Sequence, residues 1–192
     1  MGKNRQNVLV RLSGAIMTDG YSMDNLTGLW PRITVVTPSF NQAPFLERTI
    51  RSVLSQGYPN LEYFVFDGGS TDGSSNIIQQ YASQLTHYEI GPDRGQSDAI
   101  NKGWARATGE ILCWLNSDDY YEPGALLTVG QIFLEKPDVV MLCGTMAIVD
   151  RYEKLLWHKQ PPVMSLEQLL PWGRVPGQPS VFISRRVFEA LG

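Results

Sequence analysis

From Ile33 to Cys143 the chain alternates short apolar runs with stretches of helical period. Ile33-Thr34-Val35-Val36-Thr37 is β-branched throughout and predicts a buried strand that Pro38 stops. Asn41 is placed to cap the helix that follows, and Pro44 fits its first turn. Phe45, Leu46, Thr49, Ile50, Val53 and Leu54 recur at helical spacing while Arg48 and Arg51 face out, and Gly57 and Pro59 end the helix. The pattern then repeats. Strands are expected at Tyr63–Phe66, His87–Ile90, Ile111–Leu115 and Asp138–Cys143. Helices are expected at Ser74–Ser83, Ser97–Ala107 and from Pro123 to about Leu134. Such alternation predicts an α/β domain with a mostly parallel sheet covered on both faces.

The pattern weakens at both ends. Met1 to Trp30 is punctuated by Gly14, Gly20 and Gly28 and reads as a loose N-terminal extension with a short helix near Val8 to Leu12. Beyond Thr145, a strand pair within Met146 to Trp157, a short helix at Ser165 to Leu170, a strand at Val181–Ile183 and a helix at Arg185–Leu191 are expected.

With 192 residues, 43% hydrophobic and 18% charged, the chain can bury a core and is not composed like a disordered protein. A net charge of -3 and the lack of a Lys/Arg run argue against a nucleic-acid partner. Cys113 and Cys143 sit in apolar runs and read as reduced core thiols, which fits a cytoplasmic protein. No apolar run is long enough to span a membrane, and peripheral contact at its inner face stays open. His87 and His158 read as structural or exposed.

Three loops that follow strands carry the polar residues, and in such sheets ligands bind beyond the carboxyl ends of the strands. Asp67-Gly68-Gly69-Ser70-Thr71-Asp72-Gly73 lacks the acids of a calcium loop, and neither a dinucleotide fingerprint nor a phosphate-cradling G-x-x-x-x-G-K is present. By itself it also reads as an ordinary turn. Asn116-Ser117-Asp118-Asp119 places two like charges where a buried strand leaves the sheet. It reads either as an acidic turn before the next helix or as a cation site, and its place on the expected cleft favours the cation. Magnesium and manganese are held by one or two carboxylates together with substrate phosphates. In Gly91 to Gly103, Arg94 and Lys102 can offset phosphate charge beside a helix N-terminus, or Asp98 and Lys102 can be a solvated face.

Taken together, "TVVTPSFNQ", "VFDGGSTDG", "DRGQSDAINKG", "ATGEILCWLNSDD" and "GQPSVFISRRVF" resemble the inverting glycosyltransferases of family 2. The likeness is clear over Ile33 to Asp119 and weaker over Gly177 to Leu191. It points to a bacterial branch that assembles surface polysaccharides. The resemblance implies a single Rossmann-like nucleotide-diphosphosugar transferase domain of the A type at 31–192, with a nucleotide-binding part at 31–122 and a partial acceptor part at 123–192. It implies an inverting hexosyltransferase acting on a nucleoside-diphosphate sugar and a saccharide or lipid-linked acceptor, with Mn2+ or Mg2+. The donor is expected on Pro38, Ser39, Phe40, Asp67, Arg94, Asp98, Lys102 and Asp118. The metal is expected on Asp119 and Asp118, and Gln178 matches by motif position an acceptor contact; Trp172 reads either as an aromatic face for an acceptor sugar or as a plain loop anchor.

Three positions depart from the family pattern. Gly68 replaces an acid often used to read uracil, and Ile100 replaces an Arg near the phosphates. The chain also stops at Gly192, before the segment that supplies the general base. Glu189 reads as a solvated helix-face acid rather than a substitute. A fragment, a binding module without turnover, and an enzyme with another base all stay open. A related nucleotidyltransferase is disfavoured, because Pro38-Ser39-Phe40-Asn41 replaces its glycine-rich loop.

Overall fold

The computed structural model describes residues 7–11, 30–150, 154–160 and 177–191. The expected helix at Ser165 to Leu170, and Trp172, lie outside them. The described strands are β1 (Asn7–Arg11), β2 (Ile33–Ser39), β3 (Leu61–Asp67), β4 (His87–Ile90), β5 (Ile111–Trp114), β6 (Tyr120–Tyr121), β7 (Met141–Cys143), β8 (Thr145–Val149), β9 (Leu155–Lys159) and β10 (Val181–Ser184). The helices are α1 (Ala43–Leu54), α2 (Ser74–Gln80), α3 (Gln96–Arg106), α4 (Ala125–Glu135) and α5 (Arg185–Leu191).

The larger sheet has the order β4-β3-β2-β5-β10-β7. Its first four strands are parallel, and β10 runs antiparallel to both neighbours. Side chains alternate across this sheet, as the pleat requires. Ile33, Val35, Tyr63, Val65, Ile111 and Cys113 face one core with Leu46 and Ile50 of α1, Ile78 of α2 and Leu126 of α4. Val36, Phe64, Phe66 and Leu112 face the other, with Ala99 of α3, and Trp104 and Phe188 pack against its edge. The helix α3 lies close on the sheet because Gly103 has no side chain: a Cβ there would come within 2.6 Å of Val36. Both cysteines are free thiols; Cys113 is buried, which pushes its thiol up to about 12, and Cys143 is half-buried.

Two local expectations need correction. Pro38 does not stop β2, which runs on to Ser39 with Pro38 opposite Phe66. The carbonyls of Arg32 and Val36 accept N–H groups from the β5 side, so by alternation Pro38 also faces that side. There the β5 ladder has already ended, at Val36 opposite Trp114, so the missing N–H leaves no gap in the sheet. Second, the helix expected near Val8 to Leu12 is instead the strand β1. It pairs antiparallel with β8 along its whole length and parallel with β6 at Leu9↔Tyr120, in a smaller sheet of order β6-β1-β8-β9. Pairing on both sides satisfies its backbone and overrides a weak local preference.

The end of the large sheet opposite the candidate site is fixed by a buried carboxylate. Glu62 accepts hydrogen bonds from the Thr34 hydroxyl (2.6 Å) and from the Thr108 amide and hydroxyl (both 2.8 Å). Burial by itself raises the pKa of Glu62, but these bonds outweigh it and hold the carboxyl below its ordinary range. A group depressed on folding stabilises the fold above its unfolded pKa, and that contribution is lost as pH falls through the folded value. Glu62→Gln is therefore expected to cost about 2 kcal/mol at neutral pH, with the gap to wild type closing below about pH 4. Urea denaturation of both proteins across that range measures it, and a pH-independent gap would exclude the charged form as the stabilising species.

Candidate functional site

The carboxyl ends of β2, β3, β4 and β5 open on a cleft of about 550 Å³, a size suited to a small ligand. Pro38, Ser39 and Phe40 come from β2 and its loop, Gly68 follows β3, and Asp93 and Gln96 lie between β4 and α3. Asn116, Ser117 and Asp118, after β5, close the wall. The three polar loops therefore do converge. Phe40 is 61% exposed, an unusual state for a Phe and a flat face offered to the cleft. Ser39 is buried, and its hydroxyl has no hydrogen-bond partner among the described residues.

The loop after β3 is an interlock. Asp67 is buried, and its Oδ1 accepts from the amides of Gly69 (3.1 Å) and Ser70 (2.7 Å) while Oδ2 accepts from the Ser70 hydroxyl (2.6 Å). The same hydroxyl accepts from the amide of Asn41, whose side-chain oxygen accepts from the amide of Thr71. The first turn of α1 is capped across the gap. Asp72 Oδ2 accepts from the Ala43 amide (2.9 Å), and Ser74 Oγ accepts from the Gln42 amide (3.1 Å). The expected cap, Asn41, sits instead at φ 52 one residue before the N-cap, and Asp72 does its work from another loop.

In the β4–α3 loop, Asp93 Oδ1 accepts from the Gly95 amide at 2.8 Å. Its carboxylate lies over Gly68, where an added Cβ would be 3.1 Å from Oδ1. So Gly68 is covered by an acid from the next loop. Arg94 pairs with Asp98 (2.8 Å), and Lys102 approaches Asp98 (3.3 Å) and Glu89 (3.5 Å). The Arg94 guanidinium holds the Asp98 carboxyl down at about 2. These three stand on the α3 side of the cleft but do not form its wall.

In the acidic loop the two aspartates diverge. Asp118 is half-buried on the cleft wall, whereas Asp119 is buried behind it. The Thr49 hydroxyl of α1 lies 3.0 Å from the Ser117 carbonyl and 2.7 Å from that of Asp119. Asn116 Nδ2 lies 3.3 Å from Asp119 Oδ2. No group of three or more His, Cys, Asp or Glu side chains gathers among the described residues. Asp118 on the wall offers one carboxylate, which is the protein's share where a hard divalent ion takes its other oxygens from a diphosphate and water.

The remaining expectations are also placed. Gln178 is half-buried, with Oε1 accepting from Asn116 Nδ2 (2.8 Å) and Nε2 donating to the Trp114 carbonyl (2.7 Å). Glu189 is exposed on α5, in a pocket with Glu110 and Arg185 away from the cleft. His87 packs between Phe64 and Phe66, with ring centroids at 6.1 and 5.7 Å, and His158 lies on the exposed strand β9. Asp93, Gln96 and Asn116 were not singled out from the sequence. Each lies inside a quoted motif, but nothing in residue type marks it as facing a cleft.

Residues 34–191 match the family model described as glycosyl transferase family 2. The chain belongs to that family. An uncharacterized glycosyltransferase of Nostoc sp. is 35% identical over 65% of this family 2 chain and 39% of its own length. TuaG of Bacillus subtilis, a glycosyltransferase named for a provisional place in teichuronic acid biosynthesis, is 32% identical over 58% of the chain and 45% of its own length. Among solved structures, a mannosyltransferase of Pyrobaculum calidifontis in complex with GDP-Man and Mn2+ superposes with a TM-score of 0.62 and 26% identity, covering 85% of this chain and 47% of that one. The chain thus spans less than half the length of each of these relatives. Its fold is that of the A-type glycosyltransferases. No helix among the described residues is long and apolar enough to cross a membrane.

The interlock yields a prediction about the site's rigidity. Asp67→Ala removes the acceptor for three donors in one half-buried turn and is expected to destabilise the protein by about 2 kcal/mol. Amide exchange of Gly69 and Ser70 should accelerate far more than that of core β3. Unchanged exchange at those two amides would show that the loop holds its shape without Asp67.

Proposed function

We propose that the cleft binds a nucleoside-diphosphate sugar and that the chain supplies the donor half of a metal-dependent, inverting glycosyltransferase acting on a saccharide or lipid-linked acceptor. The observation that carries this reading is the convergence of an exposed aromatic ring, a buried unpartnered hydroxyl and two carboxylates, Asp93 and Asp118, on one cleft at four strand ends. The similar mannosyltransferase, in complex with GDP-Man and Mn2+, and the glycosyltransferase relatives support the same reading. The likeness to TuaG favours a product that is a surface polysaccharide.

In this proposal Phe40 and Pro38 bracket the base, Ser39 bonds the nucleoside, and Asp93 offers a carboxylate oxygen to a base N–H. The N-terminus of α3 faces the diphosphate with its free amides. Arg94, with 90% of its side chain exposed, and Lys102 are the proposed charge partners of the phosphates, released from Asp98 as donor enters. Asp67 acts from beneath by shaping the loop. Asp118 and Asp119 would hold Mn2+ or Mg2+, whose charge opposes that developing on the departing diphosphate and is worth several kcal/mol. Inversion needs the acceptor hydroxyl to attack opposite the leaving group while a base takes its proton. The acids of the described cleft wall, Asp93 and Asp118, are both placed on the donor side, so the base is left unassigned. Trp172 is the proposed platform for the acceptor sugar.

Calorimetric titration with UDP, GDP, CDP and ADP, with and without Mn2+, tests this directly. At least one should bind, and Mn2+ should tighten it. Asp118→Ala and Asp119→Ala should remove the metal's effect. Asp93→Ala should weaken the preferred nucleotide about tenfold, the scale of one lost contact, and narrow the preference among bases. Absence of binding by all four would reject the reading. Release of nucleoside diphosphate from a donor sugar then separates an enzyme from a module that only binds.

A further inference from the structure

The amide side chains around the acidic loop form a directed chain. The β10–β5 ladder covers only Ile183↔Leu112 and Ser184↔Ile111. The carbonyl of Trp114, two residues further along β5, is met instead by the Gln178 side chain at 2.7 Å. A backbone carbonyl can only accept, so Gln178 must present its Nε2 there and its Oε1 to the other side. That oxygen faces Asn116, which must then present its Nδ2 to Gln178 at 2.8 Å and, from the same nitrogen, to Asp119 Oδ2 at 3.3 Å. The Asn116 Oδ1 is left to accept from Gln96 Nε2 at 2.6 Å, at the mouth of α3. One fixed carbonyl therefore sets the orientation of three amides. Reversing Gln178 would set oxygen against oxygen at Trp114 and nitrogen against nitrogen at Asn116.

Gln178 does not line the cleft, whereas Asn116 and Gln96 do. The turn that carries it is held in place independently. Ser180 bonds the Gly177 carbonyl through its amide (3.0 Å) and its hydroxyl (2.8 Å), and a Cβ at Gly177 would run into Met146 of β8. We propose that Gln178 is a positioning residue: anchored on Trp114, it orients Asn116 and through it the Asp119 carboxylate, and so sets the edge of the cleft where metal and diphosphate meet. This rests on the donor-site reading above. It assigns Gln178 a role through the protein rather than by contact with acceptor, because its polar atoms are engaged internally.

The test is a double-mutant cycle on the affinity of Mn2+ with whichever of UDP, GDP, CDP and ADP wild type binds most tightly, read by calorimetry. Gln178→Met keeps the volume and removes both bonds; Asn116→Ala removes the residue through which it acts. Each alone should weaken the metal-assisted complex about tenfold, and the pair should be little worse than either, since both break one chain. Nucleotide binding without Mn2+ should change less for Gln178→Met, and a merely structural role would not single out the metal-dependent part. Gln178→Glu, which can accept from Asn116 but cannot donate to Trp114, should also weaken binding and serves if Gln178→Met does not fold. Wild-type affinity in the Gln178 variants, or effects that multiply in the pair, would overturn the inference. Failure of wild type to bind any of the four nucleotides would reject the donor-site reading, and the inference with it.

Discussion

The site depends on carboxylates that accept backbone N–H groups within and between its loops. A parallel sheet delivers its strand ends side by side, but the connecting loops leave amides that no ladder satisfies. Asp67 takes two of these in its own loop, Asp72 takes one from the first turn of α1, and Asp93 takes that of Gly95. Each bond is charge-assisted and so stronger than a neutral one. Together they fix the loops after β3 and β4 and tie the first of these to the start of α1. The acids most conspicuous in the sequence are thus split between building the cleft and lining it.

This division explains why a glycine is tolerated at position 68. A side chain there would compete for space with the Asp93 carboxylate. The acid on this part of the wall comes from the loop after β4. Preorganisation of this kind matters because a ligand that meets a fixed surface loses less free energy to ordering the protein.

The period of the apolar residues made most of the fold legible. Strands β2 to β5 and the helices between them follow from alternation and length, since a two-sided core demands apolar residues at those spacings. What failed were features decided by partners far along the chain. Pro38 looks like a stop until the early end of the β5 ladder is known. Asn41 looks like a cap until Asp72 is found in its place. Val8 to Leu12 has no strong period, and its strand exists because β6 and β8 flank it. The same holds for the site. Pro38, Ser39, Phe40 and Asp118 were readable because strand-end loops must face the cleft. That Arg94 and Lys102 would be drawn to Asp98, or that Gln178 would face inward, depends on helix phase and register.

The acidic loop shows how far that dependence reaches. Asp118 and Asp119 are adjacent like charges, and only their opposite placement, one on the wall and one behind it, separates them. That placement is enforced from several directions. Thr49 of α1 holds the carbonyls of the turn, Asn116 faces the inner carboxylate, and Tyr120, the next residue, is paired with Leu9 of β1. β1 is in turn held by β8, against which the Gly177 turn also packs. The first and the last of the described strands, through β1 and the turn that precedes β10, thus bear on the same four residues. A loop under such opposed constraints cannot relax by rotating one aspartate outward without breaking a sheet pairing or an amide bond. The loop thus carries its two carboxylates in fixed and different places, Asp118 on the cleft and Asp119 in the interior.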